Sequence, residues 1–195
     1  MVQYMAIKII ESYNTFISPS PTKSKHKYAH ASVNIISVNN PFSPVIEVNG
    51  GKLSFETTQR VLFAVTGNAR VKIGEKEVEA WRTYTLEPGT KVTIEGYSYV
   101  AFHGVSLNCD SETKTPIKPG DIIRCKTVNG EFNGKKLLAL KVPLTMRNVN
   151  GNWKEMLRKL QRHVELAKNA AERGAELVKV RVGSVEFEMW VQELR

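Results

Sequence analysis

Few side chains in this sequence have the type and spacing that chemistry needs. Trp81-Arg82 comes first, because an arginine at a sheet edge presents a planar fork of donors that can hold a carboxylate. Bare chemistry favours the plainer alternative, a core tryptophan beside a surface arginine. His103 ends an apolar run just before Gly104. An imidazole there could act as acid or base near neutral pH, although a single strand histidine is more often a hydrogen-bonded structural residue. His26 and His30 have the four-residue spacing of two ligands on one helical face, but Lys25 and Lys27 would repel a cation, and a flexible loop is preferred. His163 reads as a flanking side chain of a helix. Cys109 and Cys125 have no nearby histidine to activate them and read as inert thiols. The chain has no Gly-x-Ser-x-Gly elbow, Walker loop, Rossmann glycine fingerprint or His-Glu-x-x-His motif, and no metal site is expected.

The elements that must position these residues are mostly strands. From Ala31 to about Val142, short β-branched and aromatic segments recur between Gly, Pro and Asn: Val33–Val38, Val45–Val48, Val61–Thr66, Val71–Ile73, Lys91–Ile94, Tyr97–His103, Asp121–Cys125 and Leu137–Val142. That spacing predicts an antiparallel barrel or sandwich. With Gly74-Glu75 as a two-residue loop, Ile73 faces Lys76, Lys72 pairs with Glu77, and Val71 faces Val78. Residues 17–27, rich in Pro, Ser and Lys, read as an exposed loop. Over 153–173 the period changes. Trp153, Met156, Leu157, Leu160, Val164, Ala167 and Ala171 form the stripe of an amphipathic helix, capped by Asn152, ended by Gly174 and expected to pack on the chain's own sheet. A final hairpin around Gly183-Ser184 sets Val182, Val180 and Val178 against Val185, Phe187 and Met189, with Arg181–Glu186 and Lys179–Glu188 on the opposite face. The domain reading is 1–30 as an N-terminal strand and exposed loop, 31–143 as the barrel, and 144–195 as a helix and hairpin extension.

The 195 residues carry 28 Lys and Arg against 19 Asp and Glu, a net charge of +9. The excess is concentrated at the start and over residues 114–150. Such a balance can mark nucleic-acid binding, but no zinc-finger spacing, RNP-like aromatics or Arg-rich helix accompanies it, so a solvated basic surface is preferred. No apolar run is long enough to span a bilayer, and Lys8 interrupts the short apolar start, so neither a membrane span nor a secretory signal is expected. Two cysteines do not make a disulfide framework, and the cytoplasm is the expected compartment.

An ordered series of motifs then carries a resemblance. It begins with Asn40-Pro41 and Val45-Ile46-Glu47-Val48-Asn49-Gly50-Gly51, followed by Phe63-Ala64-Val65-Thr66-Gly67-Asn68. The hairpin over 71–78 leads to Trp81-Arg82 and Leu86-Glu87-Pro88-Gly89. Tyr99-Val100-Ala101-Phe102-His103-Gly104 and Ile117-Lys118-Pro119-Gly120-Asp121 complete it. In order and spacing, residues 28–125 resemble the biotin-dependent carboxyltransferase family, which includes allophanate hydrolase subunit 2 and the C-type subunits of 5-oxoprolinase. The resemblance implies a cyclophilin-like β-barrel, α+β overall once the C-terminal helix and hairpin are added. It implies a shortened protein acting within a complex, with a partner resembling the B-type subunit of 5-oxoprolinase, on a small amide or carboxylate. Biotin or ATP would enter only through that partner. Arg82 would hold a substrate carboxylate, Thr66 and Gly67 would shape the pocket wall, and Trp81 and His103 would lie nearby. The family's opening Gln-Asp-x-Gly-Arg is absent, and its Ala-Gly-Gly is replaced by Phe102-His103-Gly104. A non-catalytic scaffold on the same barrel, or a basic nucleic-acid binder using residues 114–147, are the rival readings.

Overall fold

The computed structural model describes residues 4–107, 112–127, 140–149 and 151–192. Among the described residues it is a mostly antiparallel β structure with two α-helices stacked on one face and a separate hairpin. The strands are β1 (Tyr4–Ser18), β2 (Val45–Thr57), β3 (Val61–Ile73), β4 (Lys76–Val78), β5 (Arg82–Leu86), β6 (Val92–Phe102), β7 (Val105–Ser106), β8 (Thr115–Pro116) and β9 (Ile122–Thr127). They are hydrogen-bonded in the order β4-β3-β6-β2-β1-β9-β7, with β5 also on β3 and β8 also on β1. Among the described residues this order does not return to its start, so the expected mainly β class is present without a closed ring of hydrogen bonds.

Several expected short strands are halves of long ones. Val61–Thr66 and Val71–Ile73 join as β3, and Lys91–Ile94 and Tyr97–His103 join as β6. Glycine makes this possible. Gly67 (φ 112°) and Gly96 (φ 119°) adopt backbone that other residues avoid, so the strands bend without ending. One face of the curved sheet buries Ile7, Leu53, Phe55, Phe63, Ile94 and Phe102. There the Phe55 ring stands edge-on to Phe63 and Phe102, at centroid distances of 6.1 and 5.6 Å. The opposite face is lined by small residues, with Ala64 directly across from Ala101, which lets a helix approach closely.

That helix corrects the sequence reading. Val33–Val38 was expected as a strand, yet Lys27–Ile36 forms α1, and residues 28–36 are all buried. It lies between the sheet and α2 (Trp153–Glu172), so it has no polar face and shows no helical period to read. Burial on both sides overrides the β preference of Val33, Ile35 and Ile36. Residues 17–27 are likewise not an exposed loop. β1 runs to Ser18, and Ile17, Ser18, Pro21 and Ser24 are buried. The hydroxyl groups there are satisfied internally, with Ser18 Oγ 2.7 Å from Ser24 Oγ and Ser24 Oγ 2.6 Å from His30 Nδ1. The expected divide between residues 30 and 31 falls inside α1, and β1 pairs with β2 and β9 in the main sheet.

The amphipathic helix is where the sequence put it. The Asn152 side chain accepts from the amides of Lys154 and Glu155, and Gly174 (φ 84°) ends the helix. Its buried stripe of Leu157, Leu160, Val164, Ala167 and Ala171 belongs to the same apolar cluster as α1, so it packs on α1 rather than directly on the sheet. Both hairpins have the expected register. In the first, Lys72 stands opposite Glu77, but the Glu77 carboxylate pairs with Arg70 at 2.8 Å. The second hairpin, β10 (Glu176–Val182) and β11 (Val185–Val191), opposes Lys179 to Glu188, yet Glu188 pairs with Lys141 and Arg82. No helix among the described residues is long and apolar enough to cross a membrane. The expectations for Cys109 and for Leu137–Leu138–Ala139 fall outside the described residues, as does the side chain of Cys125 and most of the basic stretch after 126.

Candidate functional site

A cleft of about 1130 Å³ opens where the first turn of α1 meets the middle of β3 and β6. Its floor follows from the fold. His26 precedes α1 in an extended conformation, and no side chain caps the turn that follows. A helix start left this way presents amide donors and the positive end of the helix dipole. The His26 amide donates to Tyr99 Oη at 2.8 Å, fixing the helix start to β6. Three cations reach the same space: Lys25, Lys27 and Arg147. Lys25 Nζ sits 4.4 Å from the centroid of the Tyr97 ring, a cation–π contact, and Arg147 is anchored by Nε donating to the Val142 carbonyl at 3.1 Å. Tyr97, Trp81 and Trp153 supply flat apolar walls, and among the described residues Glu79 is the one carboxylate lining the cleft.

Behind this wall lies a charge that the fold has to neutralise. Glu47 on β2 is 1% exposed. Its carboxylate pairs with Lys114 Nζ at 2.8 Å and accepts from the Lys25 amide at 3.3 Å, with Tyr99 Oη at 3.5 Å. Burial pushes the Tyr99 phenol well above its usual range, and the neighbouring Glu47 charge pushes it the same way, so it stays a neutral donor. The deeper His30 bonds Ser24 Oγ through Nδ1 and the Ser43 carbonyl through Nε2 at 2.9 Å. A carbonyl only accepts, so the ring proton sits on Nε2 and Nδ1 takes the Ser24 hydroxyl. Burial pushes this imidazole down to about 4, and it is neutral at physiological pH. Both of its nitrogens are thus used, and it shares no ligand geometry with His26. Among the described residues no group of three or more His, Cys, Asp or Glu side chains could hold a metal.

The five residues singled out from sequence do not gather at one point. Gly67 and Trp81 line the cleft. Trp81 adopts a left-handed backbone (φ 67°), unusual for so bulky a residue. It is held by its amide donating to Val65 O at 2.6 Å and by its carbonyl accepting from the Val142 amide at 2.9 Å. Thr66 lies behind the wall, fully buried, with Oγ1 donating to the Ala29 carbonyl at 2.7 Å, which ties α1 to β3. Arg82 faces the C-terminal hairpin, its guanidinium 3.7 Å from Glu188. His103 closes the turn after β6, with Nδ1 2.7 Å from the Ser37 carbonyl. Lys25, Lys27 and Arg147 also line the cleft, and sequence reasoning left them as loop or surface because the helix that starts there was not visible; Tyr97, read as the first residue of a strand, lines it from β6.

Gly67 offers a direct check. With φ at 112°, an added Cβ would collide with the Tyr97 carbonyl and come within 2.8 Å of Ser98 Cα. Gly67→Ala is expected to destabilise the fold by on the order of 3 kcal/mol, by backbone strain plus displacement of β6. Denaturant unfolding measures it, and a variant as stable as the parent would show that β3 and β6 are not held this tightly.

Comparison with known proteins gives a consistent picture. Residues 25–107, somewhat under half of the chain, match the family model described as carboxyltransferase domain, subdomain A and B. Among solved structures, TTHA0988 superposes with a TM-score of 0.59 at 10% identity, over 73% of this chain and 34% of that one. The urea amidolyase of Kluyveromyces lactis gives 0.52 at 14% identity, over 71% of this chain and 11% of that one. The urea carboxylase of Kluyveromyces lactis gives 0.51 at 13% identity, covering 73% and 16%. At these identities the likeness is one of fold, and this chain spans about a third or less of each of those proteins. No curated protein matches.

Proposed function

We propose, with the carboxyltransferase-domain match as premise, that this chain is a carboxyltransferase-like component of a complex and holds a small carboxylate or amide in the α1–β3–β6 cleft. The observation that carries the reading is the cluster of Lys25, Lys27 and Arg147 around an uncapped helix start, between aromatic walls, with Glu79 the one carboxylate among the described residues to oppose them. Such a site neutralises a carboxylate and orients a planar group beside it. Arg82 is reassigned in this reading, since its partner is Glu188 of the same chain. The names urea amidolyase and urea carboxylase point to amide chemistry in the structurally similar proteins.

Group transfer also requires a second reactant held in line and water kept out. The cleft is open on one side, so a partner resembling the B-type subunit of 5-oxoprolinase completes the site. ATP and biotin come through that partner in this reading, since the sequence has no Walker loop to cradle phosphates. The setting is the cytoplasm.

The test has two parts. Titration of the chain with 5-oxoproline, read by the fluorescence of Trp81 and Trp153, is expected to saturate. Arg147→Ala should weaken binding about tenfold or more, the usual worth of a charge-assisted hydrogen bond. Arg82→Ala should leave it unchanged. ATP-dependent 5-oxoproline cleavage is expected only when the partner is added. Turnover by the chain alone would refute the need for a partner, and binding that ignores Arg147→Ala would move the ligand out of this cleft.

A further inference from the structure

Trp81 holds a backbone conformation that bulky side chains avoid. Among the described residues three that are not glycine adopt the left-handed region: Asn14 (φ 50°), Val38 (φ 59°) and Trp81 (φ 67°). The first two have local reasons. Asn14 sits at a bulge in β1 and is a residue type that tolerates this region. Val38 closes the end of α1, its amide donating to the Ile35 carbonyl at 3.0 Å. Trp81 ends no helix, and its side chain is the largest of the three. Ten of the described glycines take positive φ without strain, so the fold has a ready solution that it does not use at 81. The strained residue persists because it is pinned from both sides, its amide by the Val65 carbonyl and its carbonyl by the Val142 amide.

The indole on this backbone belongs to the cleft. It lines the space together with Lys27 and Arg147, and it is half-buried rather than enclosed. It packs beside the Tyr28 ring, with centroids 6.3 Å apart and planes tilted by 31°. Tyr28 directly follows Lys27, so the indole stands next to the cations at the start of α1. Strain kept at a residue that faces an open cleft points to a ligand contact.

We propose, on the reading of the cleft as a carboxylate site, that Trp81 is its specificity-determining residue, stacking on a flat, π-bonded group carried beside the ligand's carboxylate. With the carboxylate taken by Lys27 and Arg147, the adjoining group lies against the indole. An aromatic face favours a flat partner in offset contact, beyond the area that the contact buries. A puckered, saturated ring cannot make that contact. The cleft therefore selects planar carboxylates over saturated ones of the same size by about three- to tenfold.

Isothermal titration of the full chain with benzoate and with cyclohexanecarboxylate tests this. The two probes share a carboxylate and a ring of the same size, and the saturated one is the more apolar, so burial alone gives benzoate no advantage. The parent is expected to favour benzoate about three- to tenfold, and Trp81→Phe should keep that preference. Trp81→Gly, which relieves the backbone strain, should remove the preference while both probes still bind. Circular dichroism checks the fold, and Trp81→Asn, which also accepts left-handed backbone, serves if the glycine variant does not fold. An indole with a purely structural role would change both affinities together and leave their ratio. Arg147→Ala should weaken both probes alike, by about tenfold or more. A parent that binds the two equally, yet loses both in Arg147→Ala, overturns the role of Trp81 and leaves the carboxylate site standing. So does a preference that survives removal of the indole. Failure of both probes to bind, or binding indifferent to Arg147→Ala, overturns the carboxylate site and the role of Trp81 with it.

Discussion

Lys114→Ala is expected to cost about 3 kcal/mol of stability, a large loss for one partly exposed lysine. The reason is the residue it neutralises. Glu47 sits on β2 with 1% of its surface exposed, and Lys114 Nζ lies 2.8 Å from its carboxylate. An ion pair at the surface contributes little, but removing one member of a buried pair strands a charge that water cannot reach, at a cost of about 3–5 kcal/mol. Lys114 itself is 27% exposed, which places the loss at the lower end of that range. Glu47→Gln should cost less, because the amide keeps an acceptor for the Lys25 amide without an uncompensated charge. In the double variant Glu47→Gln, Lys114→Ala, most of the Lys114→Ala loss should return, since both charges are gone. Urea unfolding of the four proteins makes a double-mutant cycle. Losses that simply add would mean that Lys114 acts through something other than Glu47. Because Lys25 and Tyr99 share that carboxylate, Lys114→Ala should also weaken ligand binding in the cleft.

The fold was legible where a pattern repeats along the chain and illegible where it depends on what covers a segment. Gly74-Glu75 and Gly183-Ser184 announce their hairpins, because loop length and alternation set the register without help from the rest of the chain. The stripe from Trp153 to Ala171 announces its helix for the same reason. α1 could not be read this way. Its residues are covered by the sheet on one side and by α2 on the other, so an amphipathic signal never forms. That one omission explains most of what was missed at the site. With 17–27 taken as a loop, Lys25 and Lys27 looked solvated and His30 looked mobile, whereas the folded chain buries His30 and brings the lysines to a helix start. Ion partners were also beyond reach. Alternation correctly opposed Lys179 to Glu188, but it cannot show that Lys141 and Arg82 wait beneath the hairpin. Gly67 and Trp81, which the motif series singled out, line the cleft, and the close approach of β3 to β6 demands glycine at 67.

Acid is expected to loosen this protein well before its carboxylates protonate, and His30 is the cause. Burial outweighs the favourable Ser43 carbonyl and Glu47 charge and holds the imidazole at about 4, whereas in the unfolded chain it takes up a proton near 6.5. Above pH 6.5 both states are neutral and the full stability is present. As pH falls from 6.5 to 4 the unfolded state binds a proton that the folded state refuses, and stability drops by about 3 kcal/mol. His163 is also lowered, by burial and then by Lys141, and acts in the same direction. The carboxylates act lower down. Lys52 holds Glu11 below its usual value, and Arg70 does the same for Glu77. At Glu188 burial works upward, and the bond and charge of Lys141, with Arg82 beyond, outweigh it. The contribution of all three fades only as pH falls below about 4.5. Denaturant midpoints measured at half-unit steps from pH 7.5 to 4 should therefore stay level down to about pH 6.5 and decline steadily below it. His30→Gln should be less stable at pH 7, with Ser24 and Ser43 imperfectly paired, yet should show a much flatter profile over that window. A parent profile that is flat between pH 6.5 and 4.5, or an imidazole proton resonance for residue 30 that titrates near 6.5, would place His30 in water instead. The loss has a local consequence too. Ser18, Ser24 and Ser43 are joined through this one ring, and they fix the segment that leads into α1. Protonation should release the floor of the cleft, so carboxylate binding should fall off toward pH 4 together with stability.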